Sequence, residues 1–301
     1  MAFAQGSRSS LRYVPETTFG QTPTTPTMVS LPFKTHSLNL TKERVEGNDI
    51  QPDRMPRIDR HGTRQAGGDI SFDLRAGDYD PLLESAFFSP LNAGVLKVGT
   101  TPRFLSIEDG AEDISQFRLF TGMGVSQMQF NIAPNQLIDT TATMVGKDGI
   151  LSQATVAATA TAATGNAPFD SFSGQITEGG AVIGSVSQLQ FSIANSLAPT
   201  FTVGNETTTQ LEFGRAVVEG TVTAYFENES LINKFINEVE SDIEVNLSDP
   251  SATNTYTFLF PRVKYNGGDV PVQDPQSRLI SLPFVALYEP AEDTNLKLTI
   301  A

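Results

Sequence analysis

The sequence predicts an all-β protein, with one short helix in each of two tandem, duplicated domains of sandwich or barrel type. Three observations carry that prediction. Only 18% of the 301 residues are charged, and Thr, Ser, Gly, Asn and Gln fill much of the space outside the 39% that is hydrophobic, a composition that favours strands and turns over helices. Apolar residues alternate with period two in one segment after another. The order of those segments then occurs a second time.

The first unit spans roughly residues 31–150. Its opening strand lies in "HSLNLTKE", with Leu38 and Leu40 on one face. A long polar loop leads to Gly68-Asp69-Ile70-Ser71-Phe72-Asp73-Leu74, where Ile70, Phe72 and Leu74 share a face. The turn "RAGDYD" follows, then a helix whose Leu82, Leu83, Ala86 and Phe87 form one apolar stripe. Asp80 before Pro81 reads as N-cap and first helical residue. Strands in "FRLFTG" and "LIDTTATMVG" complete the unit.

The second unit, roughly 182–301, repeats this order. "LQFSIANS" supplies Phe191 and Ile193, and Gly220 opens a strand with Val222, Ala224 and Phe226 on one face. A shorter turn, "ENE", precedes a stripe of Leu231, Ile232, Phe235 and Ile236, with Asn228 or Ser230 as cap. "TFLFPR" and "LISLPFVALY" close it. A Gly at the head of each central strand predicts a bulge or a close backbone approach. The period is too long for a solenoid and fits a duplicated domain. The expected division is a first domain over 1–150, an Ala/Thr-rich linker over 151–168 and a second domain over 169–301. In each, the helix covers apolar surface that packed sheets leave open.

Charge and composition exclude several functions. Residues 1–75 hold 10 Lys or Arg against 8 Asp or Glu, and the remainder 10 against 26. So acidic a chain is a poor candidate for tight nucleic-acid binding, which draws on Lys and Arg. There is no Cys, hence no disulfide or thiolate metal site. No apolar run approaches the roughly 20 residues of a membrane span, and "MAFAQGSRSSLRYVPETTFG" has no apolar signal core. A soluble protein made in a cytosol is expected.

Chemistry-bearing motifs are sparse. His36 and His61 have no signalled partners for metal binding or base catalysis. No G-x-S-x-G elbow occurs, and "GKDG" lacks the spacing of a phosphate loop. Asp73, Asp78 and Asp80 offer oxygens for calcium, but their spacing is not that of an EF-hand, and a turn before a capped helix is the reading preferred. Neither an enzyme nor a cofactor is expected.

The stretch "LTKERVEGNDIQPDRMPRIDRHGTRQ" stands out. Arg44, Arg54, Arg57, Arg60 and Arg64 are interleaved with acids that include Asp53 and Asp59, and Pro52 and Pro56 exclude a helix. A long irregular loop over 42–65 is expected. Contact with nucleic acid fits poorly, because the charges cancel and stacking aromatics are missing. A mixed-sign arm that pairs with a neighbouring subunit fits better, with a solvated loop as the alternative.

Several stretches together resemble the tail tube (major tail) proteins of long, non-contractile-tailed bacteriophages: "FSGQITEGG", "LQFSIANSLAPTFTVGNETT", "GRAVVEGTVTAYFENESLINKF", "YTFLFPRVKY" and "LISLPFVALYEPAEDTNLKLTI". The likeness covers the second half and, more loosely, the first. It implies β-sandwich or barrel subunits that form rings, rings that stack into a hollow tube, and DNA that passes through the lumen. In single-domain members six subunits make a ring, so two units per chain implies a trimer with pseudo-sixfold symmetry. Asp69, Ser71, Asp73, Thr221, Thr223 and Tyr225 become candidates for the lumen, where acidic and polar groups repel phosphates. The arginines of the 42–65 arm, with Asp53 and Asp59, become candidates for contacts between rings and subunits. The implied partners are further copies of the chain, a tape-measure protein, a tail terminator and a tail tip; the implied location is the virion tail. Two alternatives stay open: a carbohydrate- or receptor-binding β-sandwich module, and the inner tube of a contractile injection machine.

Overall fold

A computed structural model describes residues 3–53, 55, 57–183, 185–272 and 277–301. The strands of the first half are β1 (Ser9–Pro15), β2 (Thr27–Ser30), β3 (Thr35–His36), β4 (Asn39–Glu46) and β5 (Asp59–Asp73). After α1 (Asp80–Phe87) come β6 (Val95–Lys97), β7 (Leu105–Ala111), β8 (Gln116–Ile132), β9 (Asp139–Gly146) and β10 (Asp148–Ser152). The connecting stretch holds β11 (Thr159–Thr161). Next are β12 (Gln175–Glu178), β13 (Ala181–Val182), β14 (Val186–Ala194), β15 (Ala198–Thr200), β16 (Gln210–Glu212) and β17 (Val217–Tyr225). The chain ends with α2 (Ser230–Ile236), β18 (Ser241–Ser248), β19 (Thr255–Tyr265), β20 (Leu279–Ala286) and β21 (Lys297–Ile300). The protein is all-β in class, as expected.

Antiparallel pairing runs β4–β5–β9–β8–β7–β1–β2 in the first half. In the second half it runs β14–β17–β20–β19–β18–β12–β13. The registers also correspond. Leu105 faces Met123 and Ile107 faces Phe120 across a bulge; Ser241 faces Val263 and Ile243 faces Phe260 across another. Val125 lies opposite Met144, and Tyr265 opposite Phe284. β8 and β19 each bend and serve two layers: their first parts pair with β10 and β21, their later parts with β9 and β20. A strand shared in this way makes the corner of a sandwich.

The two glycines make the close approaches expected of them. A Cβ on Gly220 would lie 2.5 Å from the Phe284 ring and 2.6 Å from the Gln190 carbonyl oxygen. At Gly68, with φ of 137°, a Cβ would meet the Ser37 carbonyl oxygen at 2.5 Å.

The halves are joined by a seam. β14 adds to the free side of β8 from Leu189 opposite Ile132 to Ala194 opposite Gln127. Beneath it lies one continuous core. Phe191 stacks on Phe130 with centroids 4.7 Å apart and meets Phe258 and Phe260 edge-on. Leu82, Leu83, Ala86 and Phe87 of α1 belong to the same core and are fully buried, and the Asn195 side-chain amide donates to the Ala86 and Val125 carbonyls.

Three local expectations differ from the structure. Asp80 does not cap α1: the cap position is Tyr79, with no side-chain cap bond, and the Asp80 carboxylate accepts from the Tyr256 hydroxyl at 3.0 Å. In α2 neither Asn228 nor Ser230 is the cap: that position is Glu229, with no side-chain cap bond, and Asn228 Oδ1 accepts from the Ser230 amide across it. The stretch 42–65 is largely not an irregular loop. β4 and β5 extend through it as a long hairpin, leaving the described residues between Glu46 and Asp59 as its tip.

Residues 151–168 are laid against the first half. β11 pairs in parallel with β2, and the Val156 amide and Thr155 hydroxyl donate to Glu108, a fully buried carboxylate that also pairs with Arg12. Removing one partner of a buried ion pair strands the other. Glu108→Ala is therefore expected to cost about 3 kcal/mol in urea unfolding and to speed proteolysis within 151–158. An unchanged cleavage rate would show that Glu108 does not hold this stretch down.

Candidate assembly surface

The strands of both halves present one polar face. Along one rung stand Asp73, Asp139, Asn131, Gln190 and Thr221; along the next, Ser71, Thr141, Gln129, Ser192 and Glu219. Ser71 and Thr141 share a hydroxyl bond, the Thr143 hydroxyl donates to Asp69, and Gln188 and Gln190 both donate to Asn131 across the seam. Asp69, Ser71, Asp73, Thr221 and Thr223 thus lie on a single face, and the intervening Ile70, Phe72, Val222 and Ala224 are buried beneath it. Tyr225, half-exposed, ends the row. Lys34 reaches this face from the loop before β3, bridging Asp73 and Asp139 at 3.2 and 2.8 Å.

An ion cluster behind the face fixes the first edge strand. Asp109 on β7 receives Arg118 of β8, and His36 Nε2 of β3 lies 3.4 Å away. Burial raises the pKa of this carboxyl, but the bonds and charges of His36 and Arg118 outweigh burial and hold it below the usual aspartate value. A lowered native pKa gives stability that is present above the unfolded pKa and lost as pH falls through the native one. The stability gap between the wild type and Asp109→Asn is therefore expected to shrink as pH drops from about 5 to about 2, followed by urea unfolding. A gap independent of pH would refute the role given to this carboxylate.

Among the described residues, two open sheet edges flank the polar face. β3 and β4 pair with β5 on one side, and with no strand on the other among the described residues. The second edge is the segment after β19, where Asp269 exchanges both backbone bonds with Ser281 of β20. Side chains of the chain itself occupy polar groups here: Asn39 Oδ1 accepts from the Leu40 amide at 2.9 Å, and Arg278 donates to the Val270 carbonyl at 2.6 Å. Beside this second edge, α2 keeps the stripe found in α1 but buries only part of it: Leu231 and Ile232 pack against the core, and the rest is open. Phe235 is 37% exposed, Ile236 64% and Val239, just beyond, 47%.

The charged hairpin projects from the fold. Apart from Gly47 and Gln51, its described residues from Thr41 to His61 are exposed on both faces. Arg44 pairs with Glu46 and Asp59, and Arg57 with Asp53 at 2.6 Å. Arg64, at the base, reaches Asp148 at 2.9 Å while its amide donates to the Glu206 carbonyl. Arg60 forms no ion pair among the described residues, and Arg54 lies outside them. Arg44 and Arg57 are thus neutralised within the arm, where they brace the ribbon. At the opposite end of the strands is a charge-free groove lined by Ile132, Pro134, Ile176, Val182 and Leu189.

Sequence reasoning singled out the polar face and the arm but passed over the 267–272 edge and the open stripe of α2. Extending the match of 117–122 with 257–262 by ten residues would have reached that edge.

A mainly β chain whose exposed features are a broad polar face, open sheet edges and a projecting ribbon falls in the class of structural, self-associating β proteins. Residues 6–286, nearly its whole length, match the phage tail tube proteins, and the chain belongs to that family. It is accordingly a structural component of the phage tail that assembles with itself into a tube. Among curated proteins, none matches the chain. No helix among the described residues is long and apolar enough to cross a membrane.

Proposed function

We infer that three chains close into a ring with pseudo-sixfold symmetry, and that such rings stack into the hollow tail tube through which genomic DNA enters the host. The supporting observation is the β8–β14 seam, which joins two runs of strands with the same order and registers into one sheet. On this reading the chain is two tandem tail-tube units, 1–150 and 169–301, joined by 151–168. A constant step between units closes a ring, and six units at that step are three chains. The polar face, with Asp69, Ser71, Asp73, Thr221 and Thr223, lines the lumen, where carboxylates and short polar groups let DNA slide without gripping it.

The arm and the charge-free groove stand at opposite ends of the strands. A contact between them repeats from ring to ring in one direction, as an open polymer requires. Arg44, Arg54, Arg57, Arg60, Arg64, Asp53 and Asp59 belong to this contact. A tape-measure protein inside the tube, a terminator at one end and a tip at the other are partners by family analogy. The chain is synthesised in the host cytoplasm before assembly.

Electron microscopy of the concentrated chain tests the reading. Tubes with three chains and six lobes per ring are expected. Six chains per ring would overturn the two-unit account, and a chain that forms no ring even with tail-completion partners would overturn the tube itself.

A further inference from the structure

We propose that neighbouring chains in a ring join by strand addition, with residues 37–41 of one copy lying antiparallel on residues 267–272 of the next. The pairing is Leu38 with Val270, Asn39 with Asp269 and Leu40 with Gly268. This rests on the ring reading above and names the surface that closes the ring.

The register comes from the seam inside the chain. β14 packs beside β17 and its Gly220 as residues 36–41 pack beside β5 and its Gly68. On the other side, Gln129 faces Thr141 as Asp269 faces Ser281. The built contact of Phe191 with Phe130 and Ile193 with Met128 therefore translates into Leu38 with Val270 and Leu40 with Gly268.

The hydrogen-bond directions agree independently. Backbone groups alternate along an antiparallel strand between the two sides. The Ser37 amide donates inward to the Asp69 carbonyl, which turns Leu38 and Leu40 to the open side. Asp269 directs both its groups to Ser281, which turns Gly268 and Val270 to the open side. The groups now held by Asn39 and Arg278, the Leu40 amide and the Val270 carbonyl, are among those that such a strand would take over. Asn39 and Asp269 then face each other as a close, non-hydrogen-bonded pair on the polar face.

The two helices point to the same joint. α1 lies where the internal seam covers it, and its stripe is fully buried. α2 lies beside the open edge, with Phe235 partly and Ile236 mostly exposed. A second copy docked in the same way covers them. Its Lys42 falls where Asn195 falls at the internal seam, within reach of the last carbonyls of α2, where a cation is favoured. Each chain carries one edge of each kind, so the contact is head-to-tail and a single chain cannot satisfy it.

The chain has no cysteine, so engineered pairs report cleanly. Asn39→Cys with Asp269→Cys, oxidised under tube-forming conditions, is expected to give a reducible ladder that stops at a covalent trimer; neither single variant does so. Tubes that form without this cross-link, or that cross-link instead through Asn39→Cys with Pro271→Cys, would overturn the proposed register while leaving the ring standing. Absence of rings from the wild type would overturn the ring reading itself. Hydrogen exchange on the unmodified chain guards against a variant that fails to assemble. The amides of Leu38, Leu40 and Val270 should gain protection on assembly, and unchanged exchange there would overturn the joint.

Discussion

Phe191→Ala is expected to lower the free energy of unfolding by about 4 kcal/mol, as deep Phe→Ala truncations do. Phe191 is 2% exposed and lies at the centre of the internal seam. Its ring stacks on Phe130 of β8 and meets Phe258 and Phe260 edge-on at 5.2 and 5.1 Å. Truncation removes contacts from the two halves at once, and β-strands around the void cannot close in without breaking ladder bonds. Phe191→Leu keeps most of the volume and should cost about 1 kcal/mol. Urea titration of both variants checks this. A loss below about 1 kcal/mol for the Ala variant would mean that the seam is not held from this point.

Ile236→Lys together with Val239→Ser is expected to raise the concentration threshold for tube formation about tenfold or more, with thermal unfolding of the single chain almost unchanged. Both residues are largely in water in the free chain, where surface substitutions stay within about 0.5 kcal/mol. In the proposed joint, each chain covers the α2 stripe of its neighbour. A lysine then has to be desolvated against apolar surface, and each 1.4 kcal/mol lost from an interface is about a factor of ten in affinity. Light scattering against concentration reads the threshold and differential scanning calorimetry the fold. Tubes at the wild-type threshold would sink the assignment of α2 to the ring contact.

Much of the fold was legible because one face of each strand is buried. Ile70, Phe72 and Leu74, and Val222 and Ala224, alternate in the sequence and are buried in the structure. The hairpin of β4 and β5 was missed for the same physical reason. Both of its faces are exposed, so Lys42-Glu43-Arg44 carries no apolar alternation, and the prolines at 52 and 56 in the sequence read as punctuation for the whole stretch. Asp80 before Pro81 has the local signature of a cap, yet its carboxylate is taken by Tyr256, a partner in the other half that no local pattern announces. The stripes of α1 and α2 are equally clear as sequence. Only the structure shows that one is covered in full and the other in part, because β8 and the β14 end that the seam brings beside it close over α1.

The seam between β8 and β14 also bears on how steeply assembly depends on concentration. Its two strands are tethered, so they meet at an effective concentration set by the connecting chain, however dilute the protein is. In a ring of three such chains, every second joint is of this kind and is complete as soon as the chain has folded. The first ring then requires the meeting of three bodies rather than six, so dilution slows its nucleation much less. A broken tube must also part at the joints between chains, which leaves fragments whose ends are whole chains ready to add again.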